Sequence, residues 1–229
     1  MSKLAARIRV DEQMDDPGLA PETYDRVLKD LARVNAVTLA ARPTLSFLAR
    51  GTKGMTAFRL LDVGFGHGDM LRRISRWAKR RGLAADLIGV DLNARSAVAA
   101  RAATPIAWPI EYRTGDYHDV AGPLDFVVSS LVAHHMTDAE LEEFLRFMEA
   151  RAARGWIVND LHRLAFPYAT FPLLARLLGA HRIVREDGKV SIGRSFRPAD
   201  WEAILAKAGI TGARVVRRFP FRLCVERLH

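Results

Sequence analysis

The sequence predicts an α/β protein: a doubly wound, mostly parallel sheet with helices on both faces, a C-terminal antiparallel strand pair and an N-terminal helical cap. Three observations predict it. Short apolar runs alternate with helical patterns between residues 57 and 160. The first run stops abruptly at a cluster of glycines. The last two strand-like runs have no helix between them and must pair antiparallel. Strands alternating with helices give parallel sheets with right-handed connections, which places helices on both faces.

Residues 22–50 read as helical, because Leu28, Leu31, Val34 and Leu39 recur at helical spacing and Pro21 and Pro43 punctuate the segment. The acidic stretch from Asp11 to Asp16 before it reads as loop, ending in the turn signal Asp15-Asp16-Pro17-Gly18. Residues 57–63 form a continuous apolar run, the mark of a buried parallel strand. Residues 67–81 follow as a helix with Met70, Leu71, Ile74 and Trp77 on one face. Further strands are predicted at 86–91, 109–114, 124–129 and 155–159. Helices are predicted at 93–103, capped by Asn93, and at 138–153, where Thr137 and Glu140 make a capping box. Residues 161–196 form a long connection with an apolar helix around 173–178. A helix at 198–208 and strand-like runs at 213–218 and 221–226 end the chain.

A chain of 229 residues with 49 % apolar and 27 % charged residues is sized and composed for one globular domain. That much apolar side chain excludes general disorder. The net charge is +9, but arginine outnumbers lysine heavily, the arginines are scattered, and no nucleic-acid-binding motif accompanies them, which argues against a nucleic-acid partner. Cys224 is the single cysteine, so no intrachain disulfide forms. No apolar run reaches the ~20 residues of a membrane span. The first residues lack the apolar segment of a secretory signal. The expectation is a soluble cytoplasmic protein.

The sharpest signal is Leu60-Leu61-Asp62-Val63-Gly64-Phe65-Gly66-His67-Gly68-Asp69, at the turn from first strand to first helix. Ligands of open α/β sheets bind at the carboxyl ends of strands, and glycines there let the backbone approach closely. The spacing departs from the dinucleotide pattern Gly-x-Gly-x-x-Gly, since Asp69 stands where the last glycine belongs. A carboxylate in the first helical turn would repel a pyrophosphate. No Gly-Lys-Ser/Thr of a P-loop is present. The ligand is therefore one without phosphate. Asp91 closes the second strand, placed to accept from two vicinal ribose hydroxyls. Asp116 follows the third strand, placed to accept from an exocyclic amine, with Tyr117 beside it to flank a purine. Either acid could instead cap a helix.

LLDVGFGHGD, GVDLN, TGDYHD and LDFVVSSLVAHH, in this order, resemble the successive motifs of class I S-adenosylmethionine-dependent methyltransferases. The resemblance implies their Rossmann-like seven-stranded sheet and S-adenosyl-L-methionine as cofactor. It implies that Gly64, Gly66 and Gly68, with Phe65, pass under the methionine part and ribose, and that Asp62 lies near the methionine amino group. It implies that Asp91, with Leu92, holds the ribose, that Asp116 and Tyr117 hold the adenine, and that Ser130 and Leu131 edge the sulfonium. The whole chain, 1–229, then reads as one methyltransferase domain. Residues 1–54 are its cap, 55–160 its cofactor-binding core, 161–197 a substrate lid, and 198–229 the terminal helix and strand pair. MDDPGL, LKDLARVN, SSLVAHHMTD and WIVNDLHR are similar to small bacterial methyltransferases of polyketide- and quinone-type aromatic products.

The implied reaction is methylation of a hydroxyl on a hydrophobic or aromatic small molecule, by in-line displacement. The alternative is C-methylation of an electron-rich ring or enolate. A nucleotide-dependent oxidoreductase and an RNA-directed methyltransferase are remoter readings. The Asn/Asp-Pro-Pro-Tyr/Phe motif of amino-methylating relatives is absent after the fourth strand, where Ser129-Ser130-Leu131-Val132 stands. A phenol of pKa ~10 needs help losing its proton near neutrality. His135, His162 and His134 are the candidate bases, in that order, with Asn159 and Asp160 close in sequence. Adjacent residues rarely face one ligand, so only one of His134 and His135 is expected at the site. Arg33 and Asn35 could close the pocket, and Arg194 and Arg197 could meet an acidic group on the substrate. The histidines lack a His-x-x-x-His spacing and no cysteine is near, so no metal is expected.

Overall fold

The computed structural model describes residues 4–229; residues 1–3 of the expected cap lie outside the described residues. Its sheet has seven strands: β1 (Ala57–Val63), β2 (Ala84–Asp91), β3 (Ile110–Thr114), β4 (Leu124–Ser130), β5 (Ala152–Leu161), β6 (Arg214–Arg218) and β7 (Arg222–Leu228). The order is β3-β2-β1-β4-β5-β7-β6. β1 to β5 are parallel, and β7 runs antiparallel to both β5 and β6. The order reverses between β1 and β4. Connections there leave in opposite directions, which opens a crevice at the carboxyl ends of the strands.

Among the described residues, eight α-helices surround the sheet: α1 (Pro21–Val37), α2 (Arg42–Gly51), α3 (Asp69–Arg80), α4 (Ala94–Ala102), α5 (Asp138–Arg151), α6 (Ala165–Leu177), α7 (Arg182–Arg194) and α8 (Pro198–Ala208). Local chemistry sets several ends. Asn93 accepts from the Arg95 N–H, and Thr137 and Glu140 close their capping box on α5. One expectation changes. The helix predicted over 22–50 is two helices, because Leu39 takes φ 54° and Pro43 starts α2 afresh. Where no helix was predicted, between β3 and β4, the link holds only a 3-10 turn at Tyr117–Asp119.

One face of the sheet packs on α2, α3 and α4. At its centre Phe126 is fully buried, with Phe47 and Phe58 edge-on at 6.0 and 5.9 Å. The other face buries Trp156 and Trp201 beneath α5 and α8. A third cluster joins Val27 and Val34 of α1 to Ala175 of α6 and to Ile183 and Val184 of α7. The apolar stretch 161–179 thus packs on the cap helices, above the carboxyl ends of the strands. No described helix is long and apolar enough to cross a membrane.

Phe126→Ala should cost about 3–5 kcal/mol in urea unfolding, the range for deleting a large aromatic from a packed core. A loss below ~1 kcal/mol would show that α2 is not anchored through this ring.

Candidate active site

The crevice deepens into a cavity of about 710 Å³. Its floor is the loop from β1 to α3. Gly64 has φ +75°, and a Cβ there would stand 2.3 Å from Val132 Cγ2, so the loop can lie against the segment after β4 only without a side chain. Gly66 has φ +52° and nothing within 4 Å of a would-be Cβ; that space belongs to whatever the cavity holds. Gly68, also left-handed, starts α3. Phe65 sends its ring the other way, packing on Tyr112 at 5.0 Å.

Two acids frame the loop. Asp91 Oδ2 accepts from the Gly66 N–H and Oδ1 from the Asn93 N–H, both at 2.9 Å. Each oxygen retains a lone pair for a further donor. Burial raises the Asp91 carboxyl above its usual range despite these two bonds. Asp62 is 1 % exposed, lines the cavity, and its Oδ2 has no partner. Burial, with Asp69 and Asp91 nearby, pushes its carboxyl well up. A buried acceptor left free beside a cavity is costly unless a ligand satisfies it, and an ammonium group would. The residues present therefore fit an adenosyl amino acid: a diol at Asp91, an ammonium at Asp62 and a close-lying chain over Gly66.

The third acid stands apart. Asp116 accepts from the His118 N–H and from its ring, each at 2.9 Å, and caps the 3-10 turn on the surface. It is outside the cavity wall, while its neighbours Gly115 and Tyr117 are on it. Its short side chain closes a local ring two residues on, the usual habit of aspartate after a strand. Tyr117 is edge-on to Phe144 and Phe147 at 5.1 and 4.7 Å, and burial pushes its phenol up to about 12. Leu92 is exposed at the rim. Ser130 and Leu131 line the cavity at the end of β4. Leu131 is held at φ 62°, its N–H donating to Asn159 O at 3.0 Å.

His134 and His135 both reach the cavity, contrary to the expectation that only one of them would. A single 3-10 turn, Ala133–His135, stacks their rings at 4.3 Å. His134 is buried. Its Nδ1 donates to Asp160 Oδ1 at 2.8 Å, and its Nε2 lies 3.5 Å from Glu12 Oε1. Burial opposes the charge, but Asp160 and Glu12 overcome it and hold the imidazolium up to about 9. So paired, His134 has no lone pair to offer as a base at neutral pH. His135 is 31 % exposed, with Nδ1 3.2 Å from Asp15 Oδ2 and Nε2 3.7 Å from Glu12 Oε1. His162 differs from both. It is buried on the same cavity, and its ring has no hydrogen-bond partner among the described residues. Burial first, then Arg217, Arg197 and Arg163, lower its pKa, so a free lone pair is present at neutrality.

Residues 60–155 match a family described as a methyltransferase domain. Solved structures of similar fold include magnesium protoporphyrin IX methyltransferase from Synechocystis with bound S-adenosylmethionine, at 14 % identity and TM-score 0.55, covering 94 % of this chain and 88 % of that one. A methyltransferase from Aquifex aeolicus aligns at 16 % identity and TM-score 0.61, covering 91 % and 97 %. Human N-acetylserotonin methyltransferase aligns at 12 % identity and TM-score 0.63, covering 91 % and 56 %. No curated protein matches the sequence.

Other side chains around the cavity fall differently from expectation. Asn159 bonds Ala40 O and Thr44 Oγ1 and ties β5 to the start of α2. Arg194 is engaged with the carbonyls of Val10, His134 and His135. Arg197 lines a neighbouring cavity, and Arg33 pairs with Asp30, while Asn35 does line the main one. Three side chains on the cavity had no assigned role in the sequence reading. Glu12 is buried, though it sits in a stretch read as loop. Arg222 is 3 % exposed with its Nη1 unpartnered, and it touches both cavities. His67 accepts at Nδ1 from Arg72 Nη2 at 2.9 Å. Guanidinium only donates, so the ring proton sits on Nε2, which is buried without a partner.

Burial and Arg72 push the His67 pKa down to about 4. The unfolded chain then takes up this proton first as pH falls from 6.5. His67 withdraws stability across pH 6.5 to about 4 and has no such effect above that window. His67→Gln should lose less stability than wild type over this window, read by urea unfolding without cofactor. An unchanged pH slope would show that His67 titrates normally.

Proposed function

We propose that this protein methylates a hydroxyl of a hydrophobic aromatic, polyketide- or quinone-type small molecule. The observation that carries the reading is the cradle made by Gly66, the free Oδ2 of Asp62 and the doubly anchored Asp91, opening into an apolar cavity. S-adenosylmethionine, when bound there, supplies an electrophilic methyl group on a sulfonium. Asp91 holds the ribose hydroxyls, Asp62 the ammonium group, and Ser130 and Leu131 flank the sulfonium. Tyr117 covers one edge of the adenine. Asp116 serves this region by shaping the turn that presents Gly115 and Tyr117.

The acceptor sits between α1 and α6. Phe171 and Leu174 of α6 and Val27, Leu28 and Val34 of α1 give that space its apolar walls. α6 with its flanking loops acts as the lid, and excluding water there strengthens every charge interaction within. His162 accepts the hydroxyl proton, because it is neutral and unpartnered where His134 is engaged. Arg222 favours an acceptor bearing an acidic group. Asp160 and Asp69 lie near its charge, but its buried Nη1 has no acceptor, and a carboxylate or acidic phenol on the acceptor would supply one. This role replaces the one expected of Arg194 and Arg197.

Isothermal titration with S-adenosylhomocysteine should show one site. Asp91→Ala should weaken it by about 1.5–3 kcal/mol, the range for hydrogen bonds to a charged group. No binding by folded wild type would sink the reading. His162→Gln should leave that affinity unchanged while slowing methylation of a panel of hydroxylated aromatic acids by roughly 10²–10⁴. Equal turnover would remove His162 as the base. Mass-spectral fragmentation of the product separates O- from C-methylation.

A further inference from the structure

We propose that Glu12, His134 and His135 form a binding site for a divalent transition metal on the wall of the acceptor cavity. This deepens the methyltransferase reading and rests on it for the metal's role, though not for its binding.

The geometry is that of a ligand set. His134 Nε2 and His135 Nε2 stand 3.5 and 3.7 Å from the same oxygen, Glu12 Oε1. Those separations exceed the 2.7–3.2 Å of a hydrogen bond. They match the edges of a coordination polyhedron, since two ligand atoms each ~2.1 Å from one metal lie roughly 3.3–3.6 Å apart. The ligand atoms of all three residues fall within 4.8 Å of one another.

The outer contacts agree. The inner nitrogens of both histidines converge while the outer ones meet carboxylates: His134 Nδ1 on Asp160 at 2.8 Å and His135 Nδ1 on Asp15 at 3.2 Å. A carboxylate on the far nitrogen is the usual support of a metal-bound histidine, fixing its tautomer and turning the Nε2 lone pair inward. Asp160 is itself held by the N–H groups of His134 and Leu161. Ser191 Oγ donates to Glu12 Oε1 at 2.7 Å and fixes the third ligand.

Charge points the same way. Once a metal displaces the proton of His134, Glu12, Asp15 and Asp160 place three negative charges around one point, and Asp187 adds another close by at the 3-10 turn of Gln13–Asp15. Two nearby cations are engaged elsewhere: Arg7 bonds Asp138 and the carbonyls of His134, Met136 and Arg194, and Arg194 bonds the carbonyls of Val10, His134 and His135, while Arg222 offsets part of the charge of Asp160. Two imidazoles and one carboxylate select zinc, iron, cobalt or nickel over magnesium and calcium. Three protein ligands facing a cavity leave a coordination position for the acceptor. An acceptor hydroxyl bound there would lose its proton more readily, the oxygen keeping the electron pair and the proton passing to His162. The absence of a His-x-x-x-His spacing misleads here, because the third ligand comes from residue 12.

The test uses tag-free, chelator-stripped protein titrated with zinc chloride by calorimetry, with elemental analysis of the dialysed product. One metal per chain is expected. His135→Ala, which alters a partly exposed side chain, should lower the affinity at least tenfold, with circular dichroism unchanged. Asp160→Asn should weaken it about 10–100-fold, the range for outer-contact changes. Cobalt(II) in place of zinc should give visible absorption bands that His135→Ala abolishes. No stoichiometric binding by folded wild type, or undiminished binding by His135→Ala, overturns the site. S-adenosylhomocysteine binding by the stripped protein is read separately. It reports on the methyltransferase reading whatever the metal result.

Discussion

The hydrogen bond from the Gly66 N–H to Asp91 Oδ2 is the contact on which the rest of the site depends. It spans from the loop after β1 to the end of β2, and it holds the glycine loop beneath the cavity. The loop can take that path because Gly64 and Gly66 adopt left-handed backbone and offer no Cβ to Val132 or to a ligand. The sheet order supplies the space, since connections on either side of the β1–β4 boundary diverge. Backbone geometry and one carboxylate thus shape the floor before any catalytic side chain is considered.

Burial then sorts the ionisable groups around that floor. Asp62 and Asp91 are pushed toward higher pKa because water is removed before a ligand replaces it. Such groups are poised for positively charged or hydroxylated ligands. The three histidines read from the sequence are sorted by their partners. Asp160 and Glu12 claim His134, Asp15 and Glu12 approach His135, and only His162 keeps an unengaged ring. Arg222 shows the same rule with opposite sign, a buried cation lowered in pKa by burial, whose Nη1 still lacks an acceptor.

Much of the fold could be read from the sequence. Strands β1 to β5 announced themselves through apolar runs ending in glycine or acid, and the C-terminal pair through the missing helix between them. Gly64, Gly66 and Asp91 were legible because backbone strain and strand ends leave a local signature. Asp116 was not separable from a cap, since both uses put an aspartate directly after a strand. The break at Leu39 was hidden, because a leucine in left-handed backbone has no sequence signal of its own, and Pro43 marks only the start of α2. Glu12, His67 and Arg222 escaped for a different reason. Their roles come from partners at the far side of the cavity: Ser191 lies 179 positions from Glu12. Periodicity and short motifs carry no information about such distant pairings.

The segment before α1 does more than cover the sheet. Arg7 is bonded to the turn that carries the two adjacent histidines, and Glu12 and Asp15 complete their surroundings. The chemistry of the pocket is therefore divided between a rigid sheet and a thin strap laid across it. Exchanging that strap, or fusing a bulky partner to it, would alter the wall around the two histidines while the glycine floor held by Asp91 stays intact.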